Sequence, residues 1–365
     1  MIQPSSAQRT GRYDRQWITQ LRLKNQSIHR LGQQTAYEVV RSLGAVQAQD
    51  YSQALWAIGL RMQHARAAEV ECAIAEKQIV LTWALRGTLH LVAAEDVDWI
   101  IKLLTPRILA KSKPRLKALE IDSSLLSRCE DLIYRALKEN MRMTRADLMG
   151  LLEEAGIVTG KGRGYHLLWY LAQIGMICMG PVEGKQQTFV LLEDWLPRRK
   201  GVSAEEALKE LAERYFTGHG PATFHDFAWW AGLTLTEARA GVEAAKEALH
   251  SEKIAGVEYW MGKHEIKGDE EQPRVQLLPG YDEYLLGYKD RSVVLGPNHA
   301  SLVVPGNNGV FKPMLIVDGQ IAGTWRRTMT KDRIDISIHS FSANQAWCAE
   351  SLEQATQRYC HFVTR

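Results

Sequence analysis

Long apolar runs are missing from this chain. The longest, residues 79–85 and 302–305, fall far short of the roughly 20 residues that a bilayer-crossing helix requires. The first residues are polar and Arg-rich, without the apolar core of a secretion signal, so a cytoplasmic location and no membrane partner are expected. Cysteine is scarce as well. Cys72, Cys129, Cys178, Cys348 and Cys360 are scattered and odd in number, with no C-x-x-C pair and no histidine at zinc-ligand spacing. That excludes a disulfide scaffold and argues against a metal site, and nothing calls for a cofactor. A net charge of only +3, from 45 Lys and Arg against 42 Asp and Glu, leaves the choice of partner to where the charge is placed. What remains is an ordinary globular composition, 45% hydrophobic and 24% charged, in a chain of 365 residues, longer than one core usually supports. Two to four domains are expected.

The basic residues are unevenly spread. Lys102, Arg107, Lys111, Lys113, Arg115 and Lys117 follow one another with no acidic residue among them. A second stretch, Arg9, Arg12, Arg15, Arg22, Lys24 and Arg30, is offset only by Asp14. Either run reads equally as a solvated helix face or as a nucleic-acid contact.

Helix starts are marked by a hydroxyl residue with an acid three positions on, at Thr35/Glu38, Thr144/Asp147, Ser203/Glu206 and Thr234/Glu237. Residues 203–216 carry Ala204, Ala207, Leu208, Leu211, Ala212, Tyr215 and Phe216 at helical spacing. The order of elements recurs three times at a period of roughly 80 residues. In the first unit, helices at 35–44, 52–63 and 67–77 precede strands at 79–85 and 88–92. In the second, helices at 123–139, 144–154 and 164–175 precede strands at 176–179 and 188–192. In the third, helices at 203–216, 223–231 and 236–249 precede strands around 254–261. Three helices closed by a hairpin is the winged-helix pattern, which presents a helix and a wing to a duplex.

From about residue 274 the texture turns to short β runs, at 275–278, 292–295, 301–304, 314–317 and 334–340. Asp318-Gly319 is a tight-hairpin signal. The expected architecture is therefore α+β: winged-helix units at 1–120, 121–200 and 201–265, a linker at 262–273, and a small antiparallel β-barrel or sheet at 274–365 closed by a helix over 343–358.

Few residues mark chemistry by themselves. In LGAVQAQDYSQALW, Gln47 and Gln49 share a side if the segment is extended, and diverge by about 200° if it is helical. Taken alone, such a pair is usually a surface or capping feature. Thr88 and His90 alternate on a strand and face one way. Asp282 and Glu283 invite a two-carboxylate reading, but neighbours on a strand point to opposite faces. The segment 160–164, GKGRG, lacks the ending of a nucleotide loop, and reads as a turn from which Lys161 and Arg163 reach phosphate. Trp325, Arg326 and Arg327, with Lys331 and Arg333 nearby, suit DNA stacking and contact, or else packing by the tryptophan. His219 and His225 have no metal-like companions and read as structural.

Five segments taken together, VQAQD, RGTLHL (86–91), HGPATFHDFAWWAGL (219–233), LLPGYDEYLLGYKDR (277–291) and GTWRR (323–327), resemble the AlkZ-like and YcaQ-like alkylpurine DNA glycosylases. The resemblance runs from about residue 28 to 352. It implies tandem winged helices with a β-barrel, and hydrolysis of the N-glycosidic bond of N7- or N3-alkylated purines in double-stranded DNA, with bulky adducts and interstrand crosslinks handled by one branch. Gln47 and Gln49 match the catalytic pattern in its two-glutamine form. A cationic purine leaves with little protonation, so two neutral amides suffice to place a water beside an oxocarbenium-like sugar. No lysine in the motif suggests a lyase route, so monofunctional hydrolysis is expected. Thr88 and His90 become candidates to line the site, although His90 suits a core position equally. Arg86 becomes a phosphate or wing contact, with a surface ion pair to Asp96 or Asp98 as the alternative, and Lys111 and Lys113 further DNA contacts. A monomer is expected. The competing reading is a non-enzymatic winged-helix regulator or damage binder.

Overall fold

The computed structural model describes residues 11–28, 34–184, 186–197, 201–263, 275–307, 309–330, 333–342 and 347–364, with side chains from residue 15 onward. Arg9, Arg30, Lys331, the side chain of Arg12, most of the expected linker and the expected start of the closing helix lie outside the described residues.

Helix α1 (Gly11–Asn25) precedes a first group made of α2 (Ala36–Leu43), β1 (Val46–Gln47), α3 (Tyr51–Gly59), α4 (Ala67–Ala75), β2 (Ile79–Trp83) and β3 (Leu89–Ala93). The long α5 (Val97–Ala118) follows and carries the first basic run. The second group contains α6 (Ser123–Asn140), β4 (Arg142–Thr144), α7 (Arg145–Glu154), α8 (Arg163–Gln173), β5 (Ile177–Glu183), β6 (Gln186–Leu191) and the single turn α9 (Leu192–Trp195). The third has α10 (Ala204–His219), α11 (Phe224–Ala231), α12 (Leu235–Ala245), β7 (Leu249–Ile254) and β8 (Val257–Gly262). All four expected capping boxes form, each side chain closing on the backbone three residues away. Each stabilises its helix start by about 1 kcal/mol. A fifth, Thr223 with Asp226, opens α11.

Three helices followed by a hairpin thus recur as an order of elements, but the first two groups are not separate in space. Leu81 of β2 pairs with Met179 of β5, so their strands fuse into one antiparallel sheet in the order β1-β3-β2-β5-β6-β4. This sheet crosses the boundary expected at residue 120. It also leaves β1 at an edge, with spare backbone donors that need partners from elsewhere.

The C-terminal region is an open sheet, which corrects the expected barrel. Strands β9 (Val275–Leu278), β10 (Met314–Val317), β11 (Gln320–Met329) and β12 (Ile334–Ser340) lie in the order β12-β11-β10-β9. Residues 292–295 form a turn in which the Val294 and Leu295 N–H groups donate to the Arg291 carbonyl at 3.1 and 2.9 Å. Residues 301–304 fall largely within the one-turn helix α14 (Ala300–Val303), next to Pro305. Without those two strands, three of the expected runs remain, joined by β11, and these four strands are too few to curl around an interior. The Asp318-Gly319 hairpin forms as expected, with φ of 47° and 81°, a left-handed pair suited to a two-residue turn. The sheet is covered by α15 (Ala349–Val363), whose Tyr359 and Phe362 pack on Trp56 with ring centroids 5.1 and 5.0 Å apart. Asp282 and Glu283 are not on a strand: Asp282 caps the short helix α13 (Glu283–Leu286) and Glu283 is its first residue.

The junction between the first and last groups is set by a buried ion pair. Arg61 donates to both oxygens of Asp282 at 2.9 Å, to the Ala57 carbonyl at 2.7 Å and to Gln26 Oε1 at 2.9 Å. Gln26 Nε2 donates to the Tyr288 hydroxyl, which donates to the His219 carbonyl at 2.6 Å. The chain of bonds ties α3, α13 and α10 together and fixes where Glu283 sits.

Candidate active site

Edge strand β1 carries Gln47, paired in register with His90 of β3. Its side chain is only 9% exposed. The Gln47 N–H, on the free edge of the sheet, donates to Glu283 Oε1 at 3.2 Å. Its carboxamide oxygen accepts from Arg86 Nη2 at 2.9 Å. Arg86 reaches it because the turn between β2 and β3 is unusually tight. Arg86 has φ of 56° and Gly87 of 75°. For a residue with a side chain this costs about 1–2 kcal/mol, and here it turns the guanidinium inward. The Arg86 Nη1 donates to the Trp230 carbonyl, and the guanidinium lies over the Trp229 ring, 5.0 Å from its centroid. Arg291 lies over the same ring at 5.1 Å. The expected surface ion pairs of Arg86 do not form: Asp96 pairs with Arg214, and Asp98 with Lys102.

The strand stays extended past Gln47, with the Ala48 N–H bonded to the Leu89 carbonyl at 2.8 Å. Gln49 follows at a bend and is exposed, just ahead of Asp50, the N-cap of α3. One amide of the pair is therefore fixed and the other faces solvent.

Glu283, 1% exposed, is the buried anion beneath Gln47. Its second oxygen accepts from Trp230 Nε1 at 2.9 Å and faces His219 Nε2 at 3.3 Å. Burial pushes its carboxyl up, but the His219 bond and the charges around it prevail and hold it below the usual glutamate value. Gly287 leaves room for the His219 ring, since a Cβ there would come within 2.6 Å of it. For Arg86, burial pulls the pKa down and Glu283 pulls it back.

His90 is fully buried and its Nδ1 lies 2.8 Å from the Thr88 carbonyl. Its pKa is pushed down to about 4, by burial first and by Arg86 second. A neutral ring facing a carbonyl through Nδ1 carries its proton there, which leaves Nε2 as a buried acceptor with no partner among the described residues. Thr88 is spent locally, its hydroxyl donating to the Leu85 carbonyl at 3.1 Å.

Beside this cluster opens a cavity of about 610 Å³, of which Arg86 forms one wall. Trp169 and Trp229 face it, and Arg107, Lys111 and Lys289 give it positive charge. Arg107 also pairs with Glu237. Lys113 is exposed on the same helix as Lys111.

Other expected DNA contacts are placed differently. Trp325 is 3% exposed, donates to the Leu278 carbonyl at 2.7 Å and packs on Tyr359. It is a core residue and has no free face for a base. Arg327 is bonded to the Tyr359 and Ser52 hydroxyls, whereas Arg326 is exposed. Arg163 donates to the Leu119 carbonyl at 2.7 Å and the Val158 carbonyl at 3.1 Å, tying the end of α5 to the start of α8. Lys161 next to it is exposed. Arg22, from the second basic stretch, serves neither as a solvated residue nor as a free DNA contact: it is buried, donates to the Pro221 carbonyl and lies 3.5 Å over the Tyr288 ring.

The family model described as DNA glycosylase AlkZ-like matches residues 40–362. The chain belongs to the AlkZ-like DNA glycosylase family. It is accordingly an enzyme, a hydrolase acting on N-glycosyl bonds. A relative, the interstrand DNA cross-link repair glycosylase of Streptomyces sahachiroi, is 28% identical over 346 residues, covering 83% of this chain and 85% of that protein. The solved structure of the Streptomyces sahachiroi DNA glycosylase AlkZ shares the fold, with a TM-score of 0.79 over 96% of this chain and 97% of that one at 24% identity. No helix among the described residues is long and apolar enough to cross a membrane.

Sequence reasoning set Glu283 aside and did not single out Trp229 or Trp230. The signals were present. Asp282 followed by Glu283 and an apolar triplet is a helix start, and Thr223 with Asp226 is a capping box that places both tryptophans on α11.

Proposed function

We propose that this glycosylase hydrolyses the N-glycosidic bond of purines alkylated at N7 or N3 in duplex DNA, with Gln47 and Gln49 placing the attacking water. The observation that carries this reading is the immobilised Gln47 amide: main chain held by Glu283, carboxamide oxygen held by Arg86, next to an exposed Gln49. A fixed amide presents donors and a remaining lone pair without reorganisation, which is what a charge-separating step needs. An alkylated purine departs as a neutral base, so no acid is required of His90, which stays neutral above about pH 4. Water completes the reaction and leaves an abasic site.

The helix-and-hairpin groups act as winged helices against the duplex, with Lys111, Lys113, Lys161 and Arg326 on the backbone and Arg86 at the lesion side of the cavity. Thr88 and His90 form the wall behind Gln47. Gln47 and Gln49 stand outside the cavity lining, which meets Gln47 through Arg86, and a site that does not enclose its amides suits bulky adducts and crosslinked purines that resist extrusion from the stack. The name of the Streptomyces sahachiroi relative points the same way. The enzyme works as a monomer on cytoplasmic DNA.

The test is unhooking of a duplex crosslinked through two guanine N7 atoms, resolved on a denaturing gel, for wild type and a Gln47→Ala/Gln49→Ala double variant. Unhooking by the wild type and not by the variant is expected. Equal unhooking by both would remove the amides from the mechanism, and 7-methylguanine release without unhooking would restrict the substrate to monoadducts.

A further inference from the structure

Four groups close a ring around the Gln47 amide. Glu283 accepts the Gln47 N–H, and Gln47 Oε1 accepts from Arg86. Arg86 donates to the Trp230 carbonyl, and the Trp230 indole returns to Glu283. Gln47 and Trp230 each bridge the same cation and the same anion, which do not bond to each other directly. The neighbouring carboxylate, Asp282, is neutralised by Arg61. That leaves Glu283 as the anion facing Arg86, with Arg291 adding positive charge across Trp229.

A guanidinium bonded to the catalytic amide is a liability if the substrate is a positively charged purine. The oxocarbenium-like sugar adds to the problem, because an uncompensated cation at this distance opposes both. Resting on the glycosylase reading above, we propose that Glu283 is a positioning and charge-compensating residue: it holds the Gln47 main chain and cancels the Arg86 charge, so that the site accepts a cationic purine and the cationic sugar formed from it. Glu283 does not touch the reacting atoms. Its effect travels through Gln47 and through the field at the site, and burial strengthens that field.

The proposal separates a structural from an electrostatic role, and one ratio measures the difference. Duplexes containing a cationic azaribose abasic analogue and a neutral tetrahydrofuran abasic analogue are compared by fluorescence anisotropy for wild type, Glu283→Gln, Arg86→Gln and the double variant. Wild type should prefer the cation. Glu283→Gln should lower the cation-to-neutral ratio on the order of tenfold, and adding Arg86→Gln should restore it. Arg86→Gln alone should raise the ratio above wild type, which keeps the test alive if Glu283→Gln folds poorly. An unchanged ratio in Glu283→Gln, or no recovery in the double variant, would overturn the compensation and leave Glu283 a structural residue. No cation preference in wild type would overturn it too, and 7-methylguanine release in parallel shows whether the glycosylase reading falls with it.

Discussion

Asp282 and Glu283 are consecutive, both are buried, and the structure uses them in opposite ways. Asp282 meets a guanidinium head-on, through two bonds of 2.9 Å, and caps α13 with its remaining capacity. Glu283 meets the N–H of an edge strand, an indole and an imidazole, and reaches its cation only through Gln47 and Trp230. Around Asp282, Arg61 is bonded through both terminal nitrogens. Around Glu283, His90 Nε2 and His219 Nδ1 are buried with no partner among the described residues, as is Arg61 Nε beside Asp282. A closed ion pair locks two parts of the chain together, whereas an anion bonded to an amide N–H, an indole and an imidazole, with no guanidinium bonded to it among the described residues, keeps its field available to act at a distance.

The sharpest way to break this contrast is to remove Arg61. Arg61→Met should cost about 3–5 kcal/mol in urea denaturation, because Asp282 is left charged and buried. A loss below 1 kcal/mol would mean that the pair is not the lock.

His90 should give the next largest effect, through pH. Its folded-state pKa of about 4 lies below its ordinary 6.5, so the unfolded chain binds the extra proton first. The stability associated with a neutral His90 is complete above pH 6.5 and is lost as the pH falls to about 4, by on the order of 3 kcal/mol. Thermal denaturation from pH 7.5 to 4.5 should therefore show a steeper decline for wild type than for His90→Asn. Parallel curves would place the proton elsewhere.

Glu283→Gln should be milder than Arg61→Met, about 1–3 kcal/mol, since it weakens hydrogen bonds but removes no direct ion-pair partner from Arg86, which Gln47 and the Trp230 carbonyl still hold. Equal losses would erase the distinction between the two carboxylates. The smallest effect separates open from committed cations. Lys111→Ala should weaken duplex binding a few-fold and lower the salt slope by about one, while Arg163→Ala should leave the slope unchanged and lower the melting temperature. The reverse pattern would move the DNA path from the cavity to the turn at 160–164.

Much of the fold was legible because its signals are local. The capping boxes at Thr35, Thr144, Ser203 and Thr234 act within one turn, and the Asp318-Gly319 hairpin within two residues. The open sheet in place of the expected barrel was not legible: residues 292–295 and 301–304 carry β-branched and apolar side chains that suit a strand, and only tertiary packing makes them a turn and a helical turn. Gln47 was a candidate through resemblance alone, and the groups that surround it were not legible. The partners of Gln47 come from residues 86 and 283, far apart in the chain, and no spacing rule connects them. Trp325 failed for a related reason, since an aromatic beside arginines looks the same in sequence whether it faces DNA or the helix that covers the sheet.

The central claim, that an amide pair without a catalytic carboxylate at the reacting atoms performs the hydrolysis, is tested most directly by single-turnover release of 7-methylguanine from methylated duplex DNA by wild type, Gln47→Ala and Gln49→Ala, with affinity measured alongside. Each substitution should slow release by about 10²–10³ with little change in binding. Release at the wild-type rate in both variants would contradict the account.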